Sequence, residues 1–371
     1  MKNKTKVKKN IPFVNLSEQW KQEQNELNKI IKKIFNEGYF VGGSEVESFE
    51  NNIRKYLKVK YAVALNSGTD ALTLSLHLLG VGKNDEVITP PNSFIASTAS
   101  IIHLGAKPVF VDVLQNQNID PSKIEKAITS KTKVIMPVHL TGRVCQMDKI
   151  MKIAKKYNLK VVEDSAQAIG SKYQSKYSGT FGSIGCFSTH PLKNLNSCGD
   201  GGFIITNNKK IYTMAKSLRN HGIENRNIIR NFGYVSRMDN LQAGILNYRI
   251  KKLNSLISQR RKNAKIYFNN INSKKIVLPF EVANEFNTYH TFVIQTKNRN
   301  LLKQELLKNG IETAIHYPIP IHLQPASAFL GYKKGDFAEC ERQSKQILTI
   351  PIHQYLKKSD IDKIIHCLNK F

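Results

Sequence analysis

No stretch of the 371-residue chain approaches the roughly 18 consecutive apolar residues that a membrane-crossing helix requires, so a role within the bilayer is not expected. Cysteine is sparse and odd in number: Cys145, Cys186, Cys198, Cys340 and Cys367 lie far apart, without a CxxC pair. That pattern indicates neither a structural zinc site nor a disulfide framework, and it fits a reducing cytoplasm. No metal site is expected. Acidic residues are also scarce, 28 against 56 lysines and arginines, which leaves a formal charge of +28. The excess is mostly lysine spread over the whole length rather than a basic stripe interleaved with aromatics, so nucleic acid is not the expected partner. The segment Met1 to Asn10 carries five lysines and no apolar run behind them, which reads as a solvated tail rather than a signal peptide.

The chain does contain an alternation of short apolar runs and helical patterns. Its length fits a large domain and a smaller one. Strands are expected at Ala62–Leu65, Glu86–Thr89, Pro108–Val113, Val134–Val138, Lys160–Asp164, Ile184–Phe187 and Phe203–Thr206. Helical spacing separates many of them, at 17–38, 46–57, 71–79, 96–103 and 147–156. Such alternation predicts an α/β fold with a mostly parallel, doubly wound sheet, whose ligands sit beyond the carboxyl ends of the strands. A long helix is expected over Leu241–Leu256, leading into the basic cluster Arg260-Arg261-Lys262. Beyond it, a strand near 291–296, helices near 301–308 and 340–348, and a proline-broken loop at 316–325 predict a smaller α+β unit. The division expected is 1–250 for the large domain and 251–371 for the small one.

Lys193 stands out by its setting, after the strand-like Ile184–Phe187 and before Gly199-Asp200-Gly201-Gly202 and a further strand. An amine buried at a sheet end loses hydration, its pKa falls, and it becomes a nucleophile toward carbonyls. Schiff-base chemistry follows, with pyridoxal 5'-phosphate (PLP) as a common carbonyl partner. That cofactor needs donors for its phosphate and an anion for its ring nitrogen. Asn66-Ser67-Gly68-Thr69, between a strand and a helix, offers free amides, a favourable dipole and two hydroxyls, although taken alone the turn reads more readily as an ordinary helix cap. Ser188 adds a hydroxyl five residues before the lysine. Asp164 ends a strand, where a buried carboxylate needs a cation such as a pyridinium.

These segments, with Pro137-Val138-His139-Leu140, Glu163-Asp164-Ser165-Ala166-Gln167, His190-Pro191-Leu192-Lys193-Asn194-Leu195, Ser236-Arg237-Met238-Asp239 and His316-Tyr317-Pro318-Ile319-Pro320, resemble the sugar aminotransferase branch of the fold-type-I PLP enzymes, the DegT/DnrJ/EryC1/StrS family. The resemblance runs from Ile11 to about Pro351. It implies that Lys193 carries the cofactor and moves the proton between substrate and cofactor, that Asp164 pairs with the ring nitrogen, and that Gln167 meets the ring hydroxyl. It also implies that Ser67, Gly68, Thr69 and Ser188 hold the phosphate, that Phe94 stacks on the ring, and that His316, Tyr317 and His322 lie near the sugar. A homodimer with shared sites is implied as well.

One position departs from the family pattern. Two residues before Arg237, where asparagine is common, stands Val235. Valine has no side-chain donor, so weaker cofactor retention is expected, and a gain of PLP affinity in Val235→Asn is the measurement that checks it. In the family's dehydratases, histidine replaces the lysine; here Lys193 is present and His190 lies three residues earlier, which favours transamination. The leading expectation is amino transfer from a donor such as glutamate to a nucleotide-linked keto-sugar. A free keto-sugar acid, a keto-cyclitol, or a non-catalytic regulator remain open alternatives.

Overall fold

The computed structural model describes residues 10–225 and 227–371; the expected basic tail lies, apart from Asn10, outside the described residues. Seven strands form the central sheet: β1 (Tyr61–Leu65), β2 (Glu86–Thr89), β3 (Lys107–Phe110), β4 (Thr132–Ile135), β5 (Lys160–Asp164), β6 (Ile184–Ser188) and β7 (Gly202–Thr206). Their order is β1-β7-β6-β5-β4-β2-β3. Only β7 runs against its neighbours, β1 and β6, and every other pairing is parallel. The middles of the parallel strands are short apolar runs such as Val87-Ile88, Val134-Ile135 and Val161-Val162, buried between layers of helix. The chain is thus α/β with a mostly parallel sheet. The strand expected over 108–113 stops at Phe110, and the one expected over 134–138 stops at Ile135.

Helices α1 (Leu16–Glu37), α2 (Ser44–Leu57), α3 (Gly68–Leu78), α4 (Ile95–His103) and α5 (Met147–Lys156) precede or connect these strands, and α6 (Lys209–Leu218) follows the last of them. The expected single helix over 241–256 is two: α7 (Asn240–Arg249) and α8 (Leu253–Asn270), joined by the tighter turn Ile250–Lys252. The basic cluster therefore sits inside α8 rather than after a helix. Its members differ: Arg260 is buried while Lys262 is exposed.

A second core forms around α8, α9 (Arg299–Lys308), α11 (Lys358–Lys370) and the antiparallel pair β8 (Phe292–Gln295) and β9 (Ile347–Ile350). Helix α10 (Ala338–Gln346) ends before β9, where the expected helix over 340–348 gives way to Ile347-Leu348-Thr349-Ile350, whose branched side chains suit a pleated surface. Ile11 belongs to this second core. It pairs with Ile311 and donates its amide to Gly310 O at 2.7 Å, which ties the start of the chain to its C-terminal part.

Candidate active site

The carboxyl ends of β1, β2, β5 and β6 converge on one cavity of about 400 Å³. After β1, Ser67 caps α3: its hydroxyl accepts from the Asp70 amide at 3.0 Å. The cap reading and the anion-site reading are compatible, because the first-turn amides of a helix have no intrahelical partners. Gly68 is dictated by packing. A Cβ there would lie 2.6 Å from Ser188 Cβ, so only glycine lets the α3 N-terminus close onto the end of β6. Ser67, Gly68, Thr69 and Ser188 all line the cavity and form a hydroxyl- and amide-rich cradle suited to a phosphate.

Asp164, at the end of β5, is 5% exposed. Ser97 Oγ of α4 donates to its Oδ2 at 2.7 Å and the Ala166 amide to its Oδ1 at 3.1 Å. No cationic side chain reaches it within ion-pair distance among the described residues. A buried carboxylate held in this way still needs a positive partner, which a pyridinium ring nitrogen would provide. The preceding residue anchors the strand end. Glu163 accepts from the amides of Gly179, Phe181 and Gly182 at 2.6–2.8 Å and contacts His139 Nε2 at 2.9 Å.

Lys193 lines the same cavity, and its amine makes no hydrogen bond or ion pair among the described residues. Burial lowers its pKa to about 8, against the opposing pull of the Asp164 charge. Gln167 accepts from the Thr141 amide at 2.9 Å and donates to Tyr317 Oη at 3.4 Å. Burial and the Asp164 charge push the Tyr317 phenol pKa up, so it remains a neutral donor. Phe94 is 56% exposed and lines the cavity, with its ring 6.1 Å from that of Tyr317, rather than filling the core. His316 meets Thr349 Oγ1 at 3.0 Å, and burial beside Lys193 lowers its pKa to about 4.

Ten of the eleven residues singled out from the sequence share this cavity: Ser67, Gly68, Thr69, Phe94, Asp164, Gln167, Ser188, Lys193, His316 and Tyr317. His322 does not. It is 2% exposed, contacts Glu341 Oε1 at 3.1 Å, and packs edge-on against Phe337 in a separate cluster. Val235 is exposed, its carbonyl accepts from Asn66 Nδ2 at 3.4 Å, and Ser236 Oγ is committed to Asn66 Oδ1 at 3.1 Å. Sequence reasoning missed Ser97, Arg260, His290, Thr291 and His353, which also contribute to the site. Of these, only Arg260 was singled out in the sequence, as a member of the basic cluster Arg260-Arg261-Lys262 after the expected long helix.

Among the described residues, no group of three or more His, Cys, Asp or Glu could hold a metal ion, and no helix is long and apolar enough to cross a membrane. Residues 21–369 match the model of the DegT/DnrJ/EryC1/StrS aminotransferase family. A Geobacillus stearothermophilus protein named pleiotropic regulatory protein is 38% identical, over 98% of each chain. The dTDP-3-amino-3,6-dideoxy-alpha-D-galactopyranose transaminase of Aneurinibacillus thermoaerophilus is 37% identical, over 97% of this chain and 99% of its own. The crystal structure of S. venezuelae DesV superposes with a TM-score of 0.95 at 34% identity, over 97% of this chain and 98% of that one.

Proposed function

The chain belongs to the DegT/DnrJ/EryC1/StrS aminotransferase family, whose enzymes use PLP, and from that premise we propose that it aminates a nucleotide-linked keto-sugar with an amino acid such as glutamate as donor. The observation that carries the reading is the pairing, in one cavity, of a lysine with a lowered pKa and a buried carboxylate, the first without a partner and the second without a cation among the described residues. The transaminase relative named for a dTDP-linked amino sugar supports the substrate class.

When bound, PLP supplies the carbonyl and the electron sink through which an amino group leaves one substrate and enters another. The α3 N-terminus, Ser67, Thr69 and Ser188 would hold its phosphate, and Asp164 would hold the positive charge on its ring nitrogen. Ser97 keeps that carboxylate oriented. Phe94 would cover the ring face, and Gln167 would meet the ring hydroxyl. Lys193 gives up and takes back the proton at its Nζ, because its lowered pKa leaves a useful neutral fraction near physiological pH. His316 and Tyr317 remain uncharged beside it and offer hydrogen bonds to the sugar without adding a competing cation.

A homodimer is part of the same proposal. It is supported by large apolar side chains left in solvent, with Phe232 96% exposed and Phe40, Val41 and Ile229 also exposed. A reducing cytoplasm suits the five free cysteines.

The test is spectroscopic. PLP-loaded protein is treated with glutamate until the absorbance band at roughly 400–430 nm is lost, and nucleotide-linked keto-sugars are then screened for its return. Return of the band with such a sugar, and loss of turnover in Lys193→Ala, is the expected result. A band that no amino acid bleaches, or one restored only by free keto-sugar acids or keto-cyclitols, overturns the reading.

A further inference from the structure

Glu163 and His139 are both 0% exposed and neither lines the cavity, yet they sit where the chain presents Asp164 and Gln167. The hydrogen bonds of His139 fix its tautomer. Its Nδ1 accepts from the Cys145 amide at 3.1 Å, so the ring proton resides on Nε2 and is donated to Glu163 Oε2 at 2.9 Å. A proton on both nitrogens would set two donors against each other at Cys145. On Glu163, Oε2 also accepts from the Gly179 amide, while Oε1 accepts from the amides of Phe181 and Gly182. Each oxygen takes two donors, which leaves no place for a proton, so the pair is a neutral imidazole on a buried carboxylate.

This pair anchors a loop that leads to the cavity. The His139 amide donates to Asp164 O at 3.0 Å and the Asp164 amide to Pro137 O at 3.0 Å, which zips the loop to β5 beyond the end of β4 at Ile135. Two residues further on, Thr141 has φ +63°, in the left-handed region that a β-branched residue adopts only where its surroundings impose it. Gly142, held by the Thr288 amide at 3.1 Å and Ser171 Oγ at 2.7 Å, closes the turn. So placed, the Thr141 amide donates to Gln167 Oε1 at 2.9 Å. With its oxygen taken, Gln167 faces the cavity with its NH2 group. One hydrogen of that group goes to Tyr317 Oη, and the other is left for the cofactor.

We propose that Glu163 and His139 are positioning residues: they impose the left-handed turn at Thr141 and through it keep Gln167 a hydrogen-bond donor toward the ring oxygen of PLP. The inference rests on the cofactor placement in the reading above, and it adds two residues that lie outside the cavity wall. A donor at that oxygen favours its anionic form over its protonated one.

The readout is the pH midpoint at which the absorbance band of the PLP-loaded, substrate-free protein gives way, taken together with the melting temperature. Without a donor the ring oxygen holds its proton more tightly, so Gln167→Ala should raise the midpoint by about half a pH unit or more. His139→Asn keeps an oxygen where Nδ1 meets the Cys145 amide but no longer reaches Glu163, and it should give a similar rise. His139→Gln keeps a donor near the Nε2 position and should move the midpoint less. The effects should not add: the double variant His139→Asn, Gln167→Ala should match Gln167→Ala alone. Thr141→Gly, which adopts the left-handed turn without help, should return the His139→Asn midpoint most of the way to that of the wild type. If His139→Asn does not fold or load, Glu163→Gln, which keeps the shape and replaces one acceptor oxygen by a donor, gives the same comparison. A lowered melting temperature with an unchanged midpoint overturns the proposal, because the pair is then only part of the core. Shifts that add in the double variant overturn it too, since the pair then acts by a route other than Gln167. Wild-type protein that takes up no PLP overturns both this proposal and the function. Loaded protein that shows the shifts but is bleached by no amino acid sinks the function alone.

Discussion

Lys193 owes its lowered pKa to where it is placed rather than to a strong partner. Its amine is unpaired among the described residues, and the nearby Asp164 opposes burial without cancelling it, which leaves a pKa of about 8 against an ordinary 10.5. The sign is fixed by burial penalising the charged form. Below about pH 8 the amine is protonated and unreactive, and above it the neutral form dominates. In the apoprotein, capture of a neutral arylating reagent at Lys193, followed by mass spectrometry, should therefore rise with a midpoint near pH 8. A midpoint near 10.5 would contradict this. In Asp164→Asn the attraction that favours the ammonium disappears, so the midpoint should move lower still.

At the scale of elements, the site depends on how closely α3 approaches β6. Gly68 and Ser188 touch where any side chain at 68 would intrude, so Gly68→Ala should force the helix start away from the strand end. Overpacking of this kind costs about 1–3 kcal/mol, read as a lowered melting temperature. PLP affinity should fall with it, by about tenfold or more, as the cradle opens. An alanine variant with unchanged melting and unchanged PLP titration would show that the approach is not required. The positions of the central strands along the chain, and the polar groups just after several of them, were legible in the sequence because buried parallel strands are short apolar runs. The boundaries near 250 and 347 were not. The three-residue turn between α7 and α8 breaks no hydrophobic pattern, and β9 follows α10 without a glycine or proline to mark the change.

At the scale of the molecule, Ile11 belongs to the core built from the C-terminal helices and the β8–β9 pair. Ile11 packs with residues more than 250 positions away in the chain. The proposed dimer belongs to this scale. Light scattering across a dilution series should give twice the monomer mass, and Phe232→Asp, which puts a charge on a fully exposed aromatic, should raise the dissociation constant by at least about tenfold if that face is shared. A wild-type protein that stays monomeric at micromolar concentration would remove the dimer from the proposal.

The sequence by itself determined the chemistry and its order along the chain. Lys193, Asp164, the Ser67-Gly68-Thr69 turn and Ser188 each sit beside a recognisable strand or helix start, and residue type there constrains function directly. Tertiary structure alone decided three matters. It separated His322 from the cavity by pairing it with Glu341, it brought Ser97 to Asp164 across 67 residues, and it buried Arg260 while leaving Lys262 exposed. A basic cluster on a helix looks the same in one dimension whichever side faces inward. Only packing shows which charge has lost its water.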